Sequence, residues 1–261
     1  MTSNSLVERA KNFGQYYLQL TVPIYYAYKH FMAAGNGLQF PAKADTDICV
    51  EAYQSSANSF LYILLHRYIA PGKSFAHHTH ALASLKEAER LKVPTVFIIR
   101  NPHEAISSRL TRFGGSVTPC VLHYISLYQF VLESEFPFLV IDFEEIKSDL
   151  MGITEKLSNY LGSDSSFSLK EVEKMKQEIF DEIDEHYEEF STVEKSASPN
   201  VDRAEQKAQA AALVTNHPQF TKAEHLYNEL YKKSTYLNPE ELGRKFRQAT
   251  SDHGRLLLDK E

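Results

Sequence analysis

Residues 95–108 read T-V-F-I-I-R-N-P-H-E-A-I-S-S. The first five are β-branched and aromatic, the content of a buried strand. Arg100-Asn101-Pro102 ends it abruptly, because proline suits the first turn of a helix and not the interior of a sheet. The helix that follows carries Ser108, eight residues after Arg100. One permanent cation and one hydroxyl therefore meet at the carboxyl edge of a strand. In open α/β sheets that edge is where ligands bind, phosphates among them. The stretch points to an anion site on an α/β sheet.

The flanking chain supplies the rest of such a sheet. Residues 47–53 form a short strand, followed by the polar cluster 54–59 and an apolar helical run over 60–68. Pro71-Gly72 breaks the chain. Residues 75–80 fit a second short strand, and 81–91 a helix with Leu82, Leu85, Ala88 and Leu91 at helical spacing. Gly114-Gly115 ends the helix that Pro102 opens. A further helix spans 118–133, with Thr118 as its cap and Pro119 at its first position. Residues 137–143 are another strand, and 153–161 a helix closed by Gly162. Alternating strands and helices imply a three-layer αβα domain with a central, mostly parallel sheet.

Helical additions flank this core. Residues 11–40, rich in Tyr and Phe, read as helix followed by a loop. Residues 169–190 form an acidic amphipathic helix with Val172, Met175, Ile179, Ile183 and Tyr187 on one side, its polar face solvated. Residues 196–202 are a loop, 203–214 and 223–232 are helical, and the tail from 233 is polar. With no internal repeat and no low-complexity linker, one domain over 1–261 is expected. Its parts are a mainly helical segment 1–45, an α/β core 46–165 and a helical part 166–261.

At 261 residues the chain can bury a sizeable core, and 43% hydrophobic with 24% charged residues is ordinary for a globular protein. The formal net charge of -6 disfavours general binding to nucleic acid or to an anionic membrane. An anionic small ligand then requires a local positive island. Cys49 and Cys120 read as separate thiols rather than a disulfide. Residues 1–10 lack the apolar core of a signal peptide. Residues 18–34 are interrupted by Pro23, Lys29 and His30, too short and too polar to span a bilayer. A soluble cytoplasmic protein is expected, with no nucleic-acid partner, no membrane span and its oligomeric state open.

Three pieces bear on the ligand, each with a plainer alternative. Residues 53–61, Y-Q-S-S-A-N-S-F-L, join a strand to a helix. Such a loop aims backbone N–H groups and a helix N-terminus at a phosphate, or else the helix merely caps itself. It is not a Walker A loop, since G-x-x-x-x-G-K-[ST] is absent. Arg100 with Ser108 is a bidentate phosphate clamp, or an arginine paired with a carboxylate. Residues 139–162, running from L-V-I-D-F-E-E-I-K-S-D-L to N-Y-L-G, lead a strand through an acidic turn into a helix, or are scaffold alone.

Taken together, in this order, the pieces resemble the sulfotransferase family, P-loop-like enzymes that use PAPS, the sulfate-carrying adenosine nucleotide. The resemblance implies that Ser55, Ser56, Ala57, Asn58, Ser59 and Phe60 cradle the 5′-phosphosulfate. It implies that Arg100 and Ser108 hold the 3′-phosphate. Residues 140–146 and 160–162 match the family's Y-E-D-L-like turn and F-L-G, with Phe143 in place of Tyr. Residues 196–207 look like a late basic segment that closes over the nucleotide, which adds Arg203 and Lys207. PAPS is the implied cofactor, PAP its product, with no metal required. The acceptor is a hydroxyl or amine on a small molecule or glycan. Its pocket would be lined by the aromatic segments 13–31 and 124–130, unless these are core.

The family's general base is matched by His80, with His78 as second choice, in the run His77-His78-Thr79-His80. A histidine near neutral pKa takes the acceptor's proton during in-line transfer. The run also reads as a metal site with His78 and His80 on one strand face, or as a polar strand end without a chemical role. One departure stands out: the family's loop carries Lys or Arg where this chain has Ser55, and Ala57 replaces a glycine. Either another cation substitutes, with Lys73, Arg67 and Arg109 as candidates, or catalysis is weak or lost. The alternatives to an active transferase are thus an inactive PAPS- or PAP-binding relative, an ATP-dependent kinase relative lacking the Walker lysine, and a metal protein.

Overall fold

The computed structural model of the protein describes Gly14 and residues 16–32, 40–190, 204–236 and 238–245. Its elements run α1 (Val22–Met32), β1 (Ile48–Ala52), α2 (Asn58–Leu64) continued by a π-helical turn (Leu65–Ile69), β2 (Phe75–His77), α3 (Leu82–Leu91), β3 (Thr95–Ile99), α4 (Pro102–Phe113) and α5 (Val117–Glu133). Then follow β4 (Leu139–Asp142), α6 (Phe143–Ser148), α7 (Leu150–Leu161), α8 (Leu169–Phe190), α9 (Ala204–Thr215) and α10 (Phe220–Tyr236).

The four strands are parallel, in the order β2-β1-β3-β4. Successive side chains of a strand point to opposite faces. Ile48, Val50, Ala52, Val96, Ile98 and Ile141 accordingly pack with α2, α7 and α8. Phe97, Ile99 and Val140 pack with α4, α5 and α10 on the other face. Helices on both faces explain why β1 and β3 are buried at every position. Each such Ile, Phe or Val stabilises the fold by about 1.5–3 kcal/mol relative to an exposed one. The α/β three-layer architecture read from the sequence is the one observed.

This topology positions a crevice. From β1 the chain crosses to β2 on one side, then returns past β1 to β3 on the other. The loops leaving β1 and β3 therefore diverge at a topological switch point, where ligands bind in such sheets. The loop at 53–57 and the Arg100-Asn101 turn lie on its two sides.

Local chemistry sets the element ends. Asn101 Oδ1 accepts from the His103 backbone N–H at 3.0 Å, with Pro102 at the first helical position of α4. Gly114, at φ 65°, stops that helix, and Gly162, at φ 68°, stops α7. Three details differ from the sequence reading. β2 ends at His77, because His78 turns to φ 58°. α5 begins at Val117 behind Ser116, so Thr118 is no cap, and Pro119 sits within the first turn, where its missing N–H has no helical partner to lose. α7 starts at Leu150, because Asp149 Oδ1 accepts from Gly152 N–H at 2.9 Å and caps it earlier than the apolar pattern indicated. In α8, Val172, Met175, Ile179 and Ile183 form the buried stripe. Among the described residues no helix is long and apolar enough to cross a membrane.

Candidate functional site

The loop after β1 is built from unusual backbone. Ser55 has φ 65° and Ala57 φ 62°, both left-handed and neither glycine. That conformation costs an L-residue about 1–2 kcal/mol, so the surrounding fold holds it in place. Ala57 is also the N-cap of α2 and offers no capping side chain. Ser56, 1% exposed, and Asn58, 4% exposed, bury a hydroxyl and both amide atoms without a hydrogen-bond partner. An orphaned buried polar group costs about 1–3 kcal/mol, so this loop carries two donors, Ser56 Oγ and Asn58 Nδ2, and one acceptor, Asn58 Oδ1, in want of partners.

Three arginines converge on the same loop. Arg100, at the end of β3, donates from Nη1 to the Ser55 carbonyl. Its guanidinium lies 4.0 Å from the centroid of the Phe143 ring, and its Nε is buried without a partner. Its backbone is fixed as well: Arg100 N–H donates to Tyr128 Oη at 2.7 Å, and Tyr124 Oη donates to the Arg100 carbonyl at 2.7 Å. Burial lowers the proton affinity of Arg100, and the nearby Glu104 carboxylate works against this. Arg109 donates from Nε to Gln54 Oε1 at 3.0 Å and from Nη1 to the Gly114 carbonyl. Arg112 donates from Nη1 to Ser55 Oγ at 3.3 Å and lies over the Phe113 ring. These cations form the local positive island that an acidic chain needs to hold an anion.

Lys207 of α9 joins this edge through Glu104, whose Oε2 is 2.6 Å from Lys207 Nζ and 3.6 Å from Arg100 Nη2. Ser108 lies on α4, partly exposed, with no hydrogen bond from its hydroxyl among the described residues. Arg203 and the 196–202 loop lie outside the described residues.

The histidine run sits beside the loop. Ser59 Oγ and His78 Nε2 are 2.7 Å apart, and His78 Nδ1 meets His77 Nδ1. His80 adopts φ 50°, and its Nδ1 is 2.8 Å from the Ala52 carbonyl. A carbonyl only accepts, so Nδ1 carries the proton and the lone pair is on Nε2. Burial first, and then the Arg112 charge, push the His80 pKa down to about 4, against the hydrogen bond to Ala52. Beneath this turn the buried Glu51 of β1 accepts from Thr79 Oγ1 and from the His80 backbone N–H at 2.9 Å. Burial raises the Glu51 pKa to about 7, although Thr79, His80 and Ser84 hydrogen bonds oppose it.

The fold thus brings Ser55, Ser56, Ala57, Asn58, Ser59, Arg100, His78 and His80 to one end of the sheet, with Lys207 reaching it through Glu104. Phe60 differs: its side chain is in the core, 5.4 Å from the Phe180 ring, and leaves only its backbone near the loop. Two candidate replacement cations lie elsewhere. Lys73 pairs with Asp47 just before β1, at the amino end of the sheet. Arg67 pairs with Glu182 of α8 at 3.0 Å. Arg109 does reach the loop, and Arg112, which the sequence reading passed over, reaches Ser55 itself. Its signal was present: Arg112 follows Ser108 by four residues and so shares its helix face.

The aromatic segments divide. Tyr124 and Tyr128 are buried and brace Arg100, so they are core. Tyr16 instead lines a cavity of about 60 Å³ with Gln19, Gln54, Arg109, Ser116 and His123. His78 and His80 do not share a strand face, because both have left β2. Among the described residues no three His, Cys, Asp or Glu side chains are grouped to hold a metal. Cys49 and Cys120 are buried free thiols.

No family model matches this chain, and no curated protein matches it. Among solved structures, the crystal structure of mouse sulfotransferase SULT7A1 complexed with PAP is similar at 15% sequence identity. That match covers 80% of this chain and 90% of the mouse chain, with a TM-score of 0.42.

Proposed function

We propose that this chain is a cytoplasmic PAPS-dependent sulfotransferase, one domain over residues 1–261, acting on a hydroxyl or amine of a small molecule or glycan. The observation that carries this reading is the convergence at the switch point. Arg100 and Arg112 meet at Ser55, one residue from the orphaned Ser56 hydroxyl and close to the orphaned Asn58 amide. Buried donors without acceptors, ringed by guanidinium groups, fit an anion with several oxygens.

Ser55, Ser56, Asn58 and Ser59 would hold the 5′ side of the nucleotide through side chains and loop N–H groups. Arg100 and Ser108 would hold its 3′-phosphate, and Lys207 and Arg203 would lie over it. PAPS, when bound, supplies a sulfuryl group: its S–O bond to the 5′-phosphate breaks as an S–O or S–N bond forms to the acceptor, leaving PAP. His80 Nε2 accepts the proton that the acceptor loses. Its protonated Nδ1 stays on the Ala52 carbonyl throughout. His78 is less suited, since both ring nitrogens already face Ser59 and His77.

Isothermal calorimetry with PAP tests the reading. Micromolar binding without magnesium, no competition by ATP, and loss of binding in Arg100→Ala support it. Absence of PAP binding by the wild type overturns it. PAP binding with no sulfate transfer to any of a broad panel of hydroxyl and amine acceptors would instead favour a binding protein, the reading that the uncharged Ser55 favours.

A further inference from the structure

Ser55 stands where the resembled enzymes carry a loop cation. A charge aimed at the transferring group typically contributes a few kcal/mol, so its absence needs a replacement or a loss of function. Among the cations of the described residues, Arg112 touches position 55 by its side chain: Nη1 is 3.3 Å from Ser55 Oγ. Arg100 meets the same residue only at its backbone carbonyl. Arg109 is turned to Gln54 and Gly114 and lines the small cavity behind the loop.

Arg112 also acts on the two functional groups proposed above. Its charge lowers the proton affinity of both Arg100 and His80. It therefore lies within electrostatic range of the proposed 3′-phosphate clamp and of the proposed base, while its terminal nitrogen touches the loop between them. α4 delivers it there by geometry. Arg112 is four residues beyond Ser108 and so on the same helix face. The αL turn at Ser55 brings the loop to meet it.

We infer that Arg112 supplies from α4 the positive charge that the loop lacks at position 55, contacting the 5′-phosphate end of the bound nucleotide. This rests on the nucleotide reading given above. Because this cation is a guanidinium, charge and two parallel donors arrive together.

Calorimetric titration with two probes tests it, PAP and adenosine 3′-monophosphate, which lacks the 5′-phosphate. Arg112→Gln keeps most of the stem over Phe113 and removes the charge. It should weaken PAP binding by about tenfold to a hundredfold, the range of one charge-assisted hydrogen bond. It should leave adenosine 3′-monophosphate binding unchanged, whereas Arg100→Ala should lose both probes. Adding Ser55→Lys to Arg112→Gln should restore PAP binding, a rescue that a purely structural role would not produce. Thermal unfolding confirms that each variant is folded; if Arg112→Gln is not, Arg112→Lys, with charge but no fork, is read in its place and should weaken PAP alone. Unchanged PAP binding, equal loss of both probes, or failure of the rescue overturns the inference and leaves the nucleotide reading standing. A wild type that binds neither probe removes both.

Discussion

The Arg100 guanidinium lies 4.0 Å from the centroid of the Phe143 ring, joining the end of β3 to the first residue of α6. The ring face orients the cation without supplying an acceptor, so the buried Nε, which has no partner, stays available for a phosphate while Nη1 holds the Ser55 carbonyl. A cation–π contact of this kind is worth about 0.5–2 kcal/mol. Phe143→Leu should therefore weaken PAP binding by about two- to thirtyfold. Phe143→Tyr, which keeps the ring, should bind as the wild type does. Equal affinity for Phe143→Leu and wild type, by calorimetry, would show that the ring does not orient Arg100.

Glu51 makes stability depend on pH. Its carboxyl faces Thr79, His80 and Ser84 by hydrogen bonds, and lies near Tyr25 and Lys29 of α1 and Cys49 of β1. Burial raises its pKa from 4.5 to about 7. Below pH 4.5 both folded and unfolded states hold the proton, and the group has no effect. Between 4.5 and 7 the folded state keeps a proton that the unfolded state has released, so stability falls as pH rises, by up to about 1.4 kcal/mol per unit. Above 7 the loss is complete. Neutral histidines such as His77, with pKa about 4, act in the opposite direction over the acid range, so the comparison must be differential. Urea unfolding of Glu51→Gln against wild type should show the variant gaining a few kcal/mol in relative stability from pH 4.5 to 7.5. A pH-independent difference would mean that Glu51 does not titrate within the fold.

His80 makes a kinetic prediction of the opposite sense. With a pKa of about 4, it is neutral and able to accept a proton across the physiological range. Sulfate transfer to any identified acceptor should rise with pH through about 4 and stay flat from 6 to 8. His80→Ala should abolish transfer and leave PAP binding intact. An acid limb near the ordinary histidine value would assign the base elsewhere, with His78 first in line.

The sequence made the strand-turn-helix units legible because their chemistry is local. β-branched runs are buried along their whole length, Pro102 opens α4, and Gly114 and Gly162 close helices. Arg100 was readable for the same reason, as the residue that must follow a buried strand at the ligand edge. For Arg112 only the helix face shared with Ser108 was readable; its partner lies fifty-seven residues earlier, and the two meet only once α4 crosses the switch point. Lys73 failed as a candidate for the same kind of reason: nothing nearby in sequence says that it lies at the amino end of the sheet beside Asp47. The turn at His78 and His80 was hidden too. Left-handed backbone is signalled by glycine, and here a buried glutamate, the last but one residue of β1, holds it instead.

Ala57 carries the last prediction. At φ 62° and ψ 25° it occupies a left-handed cap that an L-residue adopts at a cost of about 1–2 kcal/mol. Ala57→Gly removes that strain and adds about 0.5–1 kcal/mol of lost backbone freedom, so the variant should be between neutral and about 1.5 kcal/mol more stable in urea. A β-branched residue has no comfortable left-handed conformation. Ala57→Val should therefore destabilise the protein by more than 1 kcal/mol and weaken PAP binding, since the loop that presents Ser56 and Asn58 must shift to accommodate it. Equal stability of the glycine and valine variants would show that the loop adopts another backbone in solution, and with it another arrangement of the donors at Ser56 and Asn58.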